Sequence, residues 1–163
     1  MSRITILTVE DEPEVREALR RDLAPFAPAF RLEFAADAAE GREVIAECAA
    51  DGEPVALVLC DHLLPGVRGT DFLIDLAAEP ETAGVRKVLV TGQAGLEDTI
   101  RAINQADLDH YVAKPWDPGD LQEVVRAELT EWVLANDDDL LRYVAVLDGR
   151  RLLEAAAERG WDR

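Results

Sequence analysis

Five side chains that suit metal or phosphate chemistry each follow a short, mostly apolar stretch of the sequence. They are Glu10 and Asp11 behind residues 4–9, Asp61 behind residues 55–60, Thr91 behind residues 87–90 and Lys114 behind residues 110–113. Apolar runs of this length, rich in β-branched side chains, are typical of buried strands. The carboxyl ends of parallel strands lie along one edge of a sheet, where open α/β sheets bind their ligands. We therefore expect the five side chains to converge.

These residue types predict phosphoryl transfer. Three carboxylates held together need a counter-charge, which Mg²⁺ supplies while keeping several of its waters. Lys114 is one of only two lysines among 17 basic residues, and its ammonium group can reach a phosphoryl oxygen or the carboxylate of Asp61. With the hydroxyl of Thr91, they form a site for an aspartyl-phosphate intermediate. Taken alone, Asp61 would predict only a cap of the strand or the start of a turn.

Strand-like and helix-like segments alternate along the chain. Strands are predicted at residues 4–9, 31–35, 55–60, 87–91 and 110–113. Residues that suit the start of a helix precede or open four of the helical segments, namely Pro13, Asp37, Thr70 and Pro118. The remaining helix is marked by the apolar residues Leu96, Ile100 and Ile103. This alternation predicts an α/β fold, with a parallel sheet covered by helices on both faces.

The composition predicts a soluble protein with an acidic surface. Of 163 residues, 48% are hydrophobic and 31% are charged, and the net charge is −17. Such a surface repels nucleic acid and anionic lipid, so we expect neither a nucleic-acid nor a membrane partner. No apolar run reaches the roughly 20 residues of a membrane span, and no leader precedes the first strand, which predicts a cytoplasmic location. Cys48 and Cys60 lack metal-site spacing and are expected to be small buried side chains.

Over residues 4–129 the sequence resembles the receiver domain of two-component response regulators. The resemblance is carried by VEDE at residues 9–12, LCD at 59–61 with LPG at 64–66, VTG at 90–92 and YVAKP at 111–115. It implies a flavodoxin-like, doubly wound sheet of five parallel strands in the order 2-1-3-4-5. Residues 1–129 would then be the receiver domain and residues 130–163 a C-terminal helical extension, as in a stand-alone regulator.

The resemblance also implies roles for the site residues. Asp61 is the expected phosphoacceptor, which takes a phosphoryl group from a sensor histidine kinase or a phosphotransfer protein. The expected ligands of Mg²⁺ are Glu10, Asp11, Asp61 and the backbone carbonyl of Leu63. The phosphoryl group would be bound by Thr91 and Lys114, and the aromatic switch would be Tyr111. No organic cofactor is expected. The protein is predicted to be no turnover enzyme but a signalling phosphoacceptor that assists its own phosphorylation and dephosphorylation.

Some positions qualify this comparison. Glu10 occupies the first acidic position of the family motif, where Asp is equally familiar. Metal binding is expected to survive with its longer side chain. Leu63, two residues after the phosphoacceptor, is apolar and cannot orient a hydrolytic water, whereas Gln93 could. His62 is expected to be an ordinary loop residue. Trp116 is expected to pack under the last receiver helix rather than to contact a ligand.

Two other functions stay open. An aspartate-nucleophile phosphohydrolase would have a second acid two residues beyond the nucleophile, where this chain has Leu63. A pseudo-receiver that only docks partners would not need the complete set of acids, hydroxyl and lysine. We expect instead a switch that signals by conformational change through protein–protein contacts.

The segment after residue 129 predicts helices and no ordinary output domain. About 30 residues are too few for a DNA-binding or enzymatic domain. The fifth helix is expected to continue through residue 134, and Asp148 to cap a last helix. This segment could pack on its own receiver or take part in a dimer. A homodimer is favoured by an apolar stripe that would associate if left open to water, formed by Leu121, Val125, Leu129, Trp132 and Val133.

Overall fold

The chain folds around a parallel sheet. A computed structural model describes residues 3–92 and 95–160. Within them the sheet has five strands: β1 (Thr5–Val9), β2 (Arg31–Ala35), β3 (Val55–Cys60), β4 (Arg86–Val90) and β5 (His110–Val112). Their spatial order is β2-β1-β3-β4-β5, and every neighbouring pair is parallel. The predicted fold class and strand order are therefore confirmed, and the carboxyl ends of all the strands lie along one edge.

Helices cover both faces of the sheet. The described residues form α1 (Pro13–Leu23), α2 (Ala38–Ala50), α3 (Gly69–Ala78), α4 (Leu96–Gln105), α5 (Pro118–Asn136) and α6 (Gly149–Glu158). Asp37 and Asp117 cap α2 and α5, because each carboxylate accepts a hydrogen bond from the backbone N–H three residues ahead, at 2.8 and 3.0 Å. Among the helices described, none has both the length and the apolar character needed to cross a membrane.

The start of α3 differs from the prediction. Thr70 was expected to be its cap, but it lies inside the helix, which has no side-chain cap. The helix begins at Gly69, where a Cβ atom would lie only 1.7 Å from the carbonyl oxygen of Asp61. The hydroxyl of Thr70 lies 3.3 Å from His62 Nδ1 instead. The chain therefore returns tightly against the end of β3, and only glycine allows that approach.

The central strand β3 is buried along its whole length. Leu57 and Leu59 pack with α1 and α5 on one face of the sheet, whereas Val58 and Cys60 pack with α2 and α3 on the other. Both Cys48 and Cys60 are free, buried thiols, as predicted. Because the strand is packed from both sides, the residue that follows it is held in a fixed position.

The helix α4 is present as predicted but is anchored differently. Its isoleucines are exposed, Ile100 by 46% and Ile103 by 53%. Among the described side chains of this region, the fully buried ones are the small Ala102 and Ala106, which belong to the apolar cluster formed with α2 and α3. The apolar spacing therefore predicted the helix correctly but not the side that faces the core.

The segment after the predicted receiver domain folds back onto it. The helix α5 continues to Asn136, a 3₁₀ turn spans Leu140–Tyr143, and α6 follows. The ring of Tyr143 stacks on Phe30 with centroids 5.9 Å apart, and its hydroxyl donates to Asp137 Oδ2 at 2.8 Å. Leu140 and Tyr143 belong to the same buried cluster as β1 and α5. Of the two placements left open, the structure shows packing on the chain's own receiver. The boundary at residue 129 stays a prediction.

The apolar stripe on α5 is not open to water. Its members Leu121, Val125, Leu129 and Val133 are fully buried in the core of the same chain, and Trp132 is partly buried against it. The expectation that this stripe needs a partner was therefore wrong, because the sheet and the folded-back segment already cover it. The homodimer itself stays a prediction without this support.

Candidate functional site

The ends of β1 and β3 bring three acids together. Val9 pairs with Cys60 in the sheet, so Glu10 and Asp61 follow neighbouring strand ends. Carboxylate oxygens of Glu10, Asp11 and Asp61 all lie within 4.8 Å of one another. Glu10 is 1% exposed and Asp61 5% exposed, so like charges are concentrated where water screens them weakly.

Lys114 reaches this cluster from the end of β5. Its Nζ lies 2.6 Å from Glu10 Oε1 and 3.2 Å from Asp61 Oδ2. The ammonium group thus bridges the two buried carboxylates and offsets part of their charge. Arg16 Nη1 also donates a hydrogen bond to the backbone carbonyl oxygen of Glu10 at 2.9 Å, which fixes the backbone at this residue.

The two buried carboxyls differ in their affinity for a proton. The pKa of Glu10 is raised to about 7: burial is the largest cause, Lys114 opposes it, and the neighbouring Asp61 adds to it. Burial also raises the pKa of Asp61, but Thr91, Glu10 and Lys114 outweigh burial and hold that pKa below its usual value. Asp61 is therefore ionised at neutral pH, as a nucleophile must be, whereas Glu10 exchanges its proton near neutrality.

The cluster has oxygen atoms that fit a divalent cation. Glu10 Oε2 and Asp61 Oδ1 are buried and have no hydrogen-bond partner among the described residues. Buried polar atoms are normally satisfied, and hard cations such as Mg²⁺ prefer carboxylate oxygens. Leu63, whose carbonyl was the fourth predicted ligand, lies in the loop directly after Asp61, and both residues line a cavity described below. The donor set therefore fits the metal that the sequence predicts.

Thr91 and Tyr111 lie beside this cluster and contact each other. Thr91 is fully buried at the end of β4, and its backbone N–H donates to the carbonyl of Val112 at 3.0 Å. The hydroxyl of Tyr111 donates to the backbone carbonyl of Thr91 at 2.8 Å. All the side chains predicted for the site are thus brought to one edge of the sheet. Gln93 lies outside the described residues.

A cavity of about 690 Å³ adjoins Asp61. It lies between α1 and the segment after β5, and its lining includes Val15, Ala18 and Lys114. The indole of Trp116 also lines it and donates from Nε1 to Asp22 Oδ2 at 2.8 Å. Trp116 was expected only to pack under α5, but it also ties α1 to the segment that carries Lys114. The spacing of the residues gave no signal for this contact.

His62 lies in the loop after β3, as expected, but its burial was not predicted. Its side chain is only 3% exposed. Its ring lies between the hydroxyl of Thr70 and the carboxylate of Asp98 on α4. A pairing between residues 62 and 98 is set by the tertiary fold, so no local pattern in the sequence could reveal it.

A parallel sheet in the order 2-1-3-4-5, with acids, a hydroxyl and a lysine at its carboxyl edge, places the chain among the doubly wound α/β domains, whose sites lie at that edge. The family profile described as "Response regulator receiver domain" matches residues 6–126. The chain belongs to this family of two-component signalling domains.

Individual proteins that resemble this chain in sequence or structure are consistent with the family. The hydrogenase transcriptional regulatory protein HoxA of Cupriavidus necator is 32% identical over 134 residues, which are 82% of this chain and 26% of HoxA. The response regulator Rre1 of Synechocystis is 30% identical over 134 residues, 82% of this chain and 55% of Rre1. A CheY-like receiver domain protein from Methanospirillum hungatei has a TM-score of 0.68 and 32% identity, covering 80% of this chain and 97% of that one. The chain thus spans between a quarter and about half of these curated relatives.

Proposed function

We propose that the protein is a phosphorylation-controlled switch in which Asp61 accepts a phosphoryl group from a phosphohistidine. The observation that carries this proposal is the bridge from Lys114 to Asp61 and Glu10 inside a buried acidic cluster. Membership of the receiver family supports it. The ionised state of Asp61 at neutral pH supports it as well, because the carboxylate is the nucleophilic form.

In the proposed reaction, a carboxylate oxygen of Asp61 forms a bond to phosphorus while the phosphorus–nitrogen bond of the donor breaks. The electron pair of that bond leaves with a neutral imidazole ring, whose other nitrogen keeps its proton. Mg²⁺, held by Glu10, Asp11, Asp61 and the carbonyl of Leu63, would neutralise charge between the carboxylates and the phosphoryl oxygens. Lys114 then binds a phosphoryl oxygen with the ammonium group that now contacts Asp61.

The conformational output is proposed to start at Thr91. Its hydroxyl moves toward the new phosphoryl group, which adds nearly two negative charges and new acceptor oxygens. Because Tyr111 bonds to the backbone of Thr91, that movement changes the position of the Tyr111 ring. The surface formed by α4, β5 and α5 thereby shifts between two populations.

The proposed partners are proteins. The donor is a sensor histidine kinase or a phosphotransfer protein, and the cavity beside Asp61 gives it access to the phosphoacceptor. The net charge of −17 disfavours direct nucleic-acid binding by this chain. Relatives named as transcriptional regulators are longer than this chain. We propose a cytoplasmic location, since histidine kinases phosphorylate their receivers there.

The test is labelling with a small phosphodonor. The purified chain is incubated with Mg²⁺ and acetyl phosphate, and intact mass spectrometry counts the phosphoryl groups. We expect one hydroxylamine-labile group, no label with chelator, and no label on Asp61→Asn. Asp75→Asn, the same substitution on an exposed residue of α3, is the matched control and should label normally.

Other outcomes separate the alternatives. Repeated consumption of the donor at a catalytic rate would establish a phosphohydrolase, although Leu63 stands where that mechanism places its second acid. A complete lack of label would leave a docking module. Stoichiometric labelling of Asp61→Asn at another residue would contradict the assignment of the phosphoacceptor.

A further inference from the structure

His62 directly follows the proposed phosphoacceptor and makes polar contacts in three directions. Its backbone carbonyl accepts a hydrogen bond from the N–H of Gly69 at 2.9 Å. Its ring Nδ1 lies 3.3 Å from the hydroxyl of Thr70, and its ring Nε2 lies 3.3 Å from Asp98 Oδ2. Nε2 is thus in polar contact with the carboxylate of Asp98. The ring therefore joins the loop after Asp61 to α4.

Two further ion pairs hold the same helix. Asp98 lies 3.9 Å from Arg68 Nη1 in the loop after β3. Arg101 Nη2 lies 2.7 Å from Asp71 Oδ1 on α3. Both of these pairs include well-exposed side chains and are therefore weak. The contact with His62 differs, because the imidazole ring is removed from water, which screens the carboxylate of Asp98 less there.

Apolar contacts anchor α4 weakly among the described side chains. Its larger side chains Ile100 and Ile103 face solvent, and the buried Ala102 contributes only a methyl group to the core. Burial stabilises in proportion to apolar area, so an alanine contributes far less than a buried isoleucine. Polar contacts therefore account for a larger share of the attachment of α4 than they do for α1 or α5. A helix held this way is suited to move.

We propose that His62 is a positioning residue that latches α4 to the phosphoacceptor loop through Asp98. The proposal rests on the proposed function. Two connections join α4 to the site. The helix follows Thr91 along the chain, and the His62 ring contacts Asp98 in the first turn of α4. A phosphoryl group on Asp61 would shift both the loop and Thr91. The latch, meaning the contact between His62 and Asp98, therefore sets the relative populations of the two positions of α4.

The first test measures hydrogen exchange of the α4 amides without phosphodonor. Asp98→Ala removes the ion-pair partner of His62, and we expect exchange to become roughly fivefold faster, as for the loss of an ion pair at the upper end of the usual range. Glu97→Ala is the matched control, because Glu97 is an exposed acid of the same helical turn and carries no ion pair in the part of the chain described. Equal exchange in the two variants would overturn the latch.

A second readout separates a latch from a merely structural contact. In Asp98→Ala without phosphodonor, the amide resonance of Tyr111 should move toward its position in the phosphorylated wild type, and in Glu97→Ala it should not. Faster exchange without that movement would mean that the contact is only structural. The double variant His62→Gln/Asp98→Ala should exchange no faster than Asp98→Ala, since both changes break the contact between His62 and Asp98; additive effects would contradict the proposal.

A failure of the proposed function can be distinguished from a failure of the latch. If the proposed function is wrong, the wild-type chain takes up no phosphoryl label. The exchange rates and the double variant need no phosphorylation, so in that event they still decide whether His62 holds α4. If Asp98→Ala takes up a normal amount of label at Asp61, the chemistry is intact and the altered Tyr111 resonance reports the latch alone.

Discussion

Replacing Glu10 by glutamine should make the metal-free protein more stable at high pH. The pKa of Glu10 is raised to about 7 from an unperturbed value of 4.5. A carboxyl with a raised pKa in the folded state favours folding while it is protonated, and that contribution is lost as the pH rises through the folded pKa. Glutamine has a similar shape and carries no charge, so Glu10→Gln should not show this loss.

The size of the effect follows from the two pKa values. Integrating proton binding between pH 5 and pH 8 gives a loss of roughly 2–3 kcal/mol for wild type. Little correction for solvent screening applies, because Glu10 is 1% exposed. Near pH 5 the two proteins should have similar stability, whereas near pH 8 Glu10→Gln should be more stable by about 3 kcal/mol.

The assay is urea unfolding of both proteins in chelator between pH 5 and pH 8. The quantity compared is the difference between the two free energies of unfolding, because the general repulsion at a net charge of −17 affects both proteins and cancels. Adding Mg²⁺ at pH 8 should stabilise wild type and reduce the advantage of the variant, since the cation binds the ionised carboxyl. A difference that stays constant across this pH range would refute the reasoning about Glu10.

Two further predictions concern the switch and the folded-back segment. Lys114→Ala should still accept phosphate, though slowly, but fail to transmit the change; a full phosphorylation-dependent shift of the Tyr111 amide in this variant would contradict the proposed coupling. Tyr143→Ala should lower the free energy of unfolding by about 3–5 kcal/mol, as for other buried aromatic rings, while Leu141→Ala, at a 47% exposed position, should change it by less than about 1 kcal/mol. Urea unfolding measures the free energy of unfolding of the Tyr143 and Leu141 variants. An equal decrease in the two would show that Tyr143 is not part of the core.

The sequence predicted the sheet and the site because both depend on local patterns. Each strand ends where an apolar run meets a polar residue, and a parallel sheet brings those ends together whatever the helices do. Glu10, Asp61 and Lys114 are accordingly within contact distance, as expected. The roles assigned to them come from the family resemblance and stay predictions.

Contacts between distant residues could not be predicted in this way. The pair of His62 and Asp98 and the pair of Trp116 and Asp22 each join different elements, and neither has a local sequence signal. The exposed side of α4 was missed for a related reason. Its apolar spacing fits a helix, but which side faces the core depends on the space that α3 leaves for it.

The packing of Tyr143 on Phe30 has a consequence for the unit in which the chain unfolds. Phe30 immediately precedes β2, so the folded-back segment packs against the amino-terminal end of that strand, at the edge of the sheet opposite Asp61. The match to the family ends at residue 126, yet α5 crosses that point and its buried residues touch both parts of the chain. A boundary at residue 126 would divide both α5 and the hydrophobic core. The end of the sequence similarity is therefore not a structural boundary, and we expect the receiver and its extension to unfold in a single cooperative step.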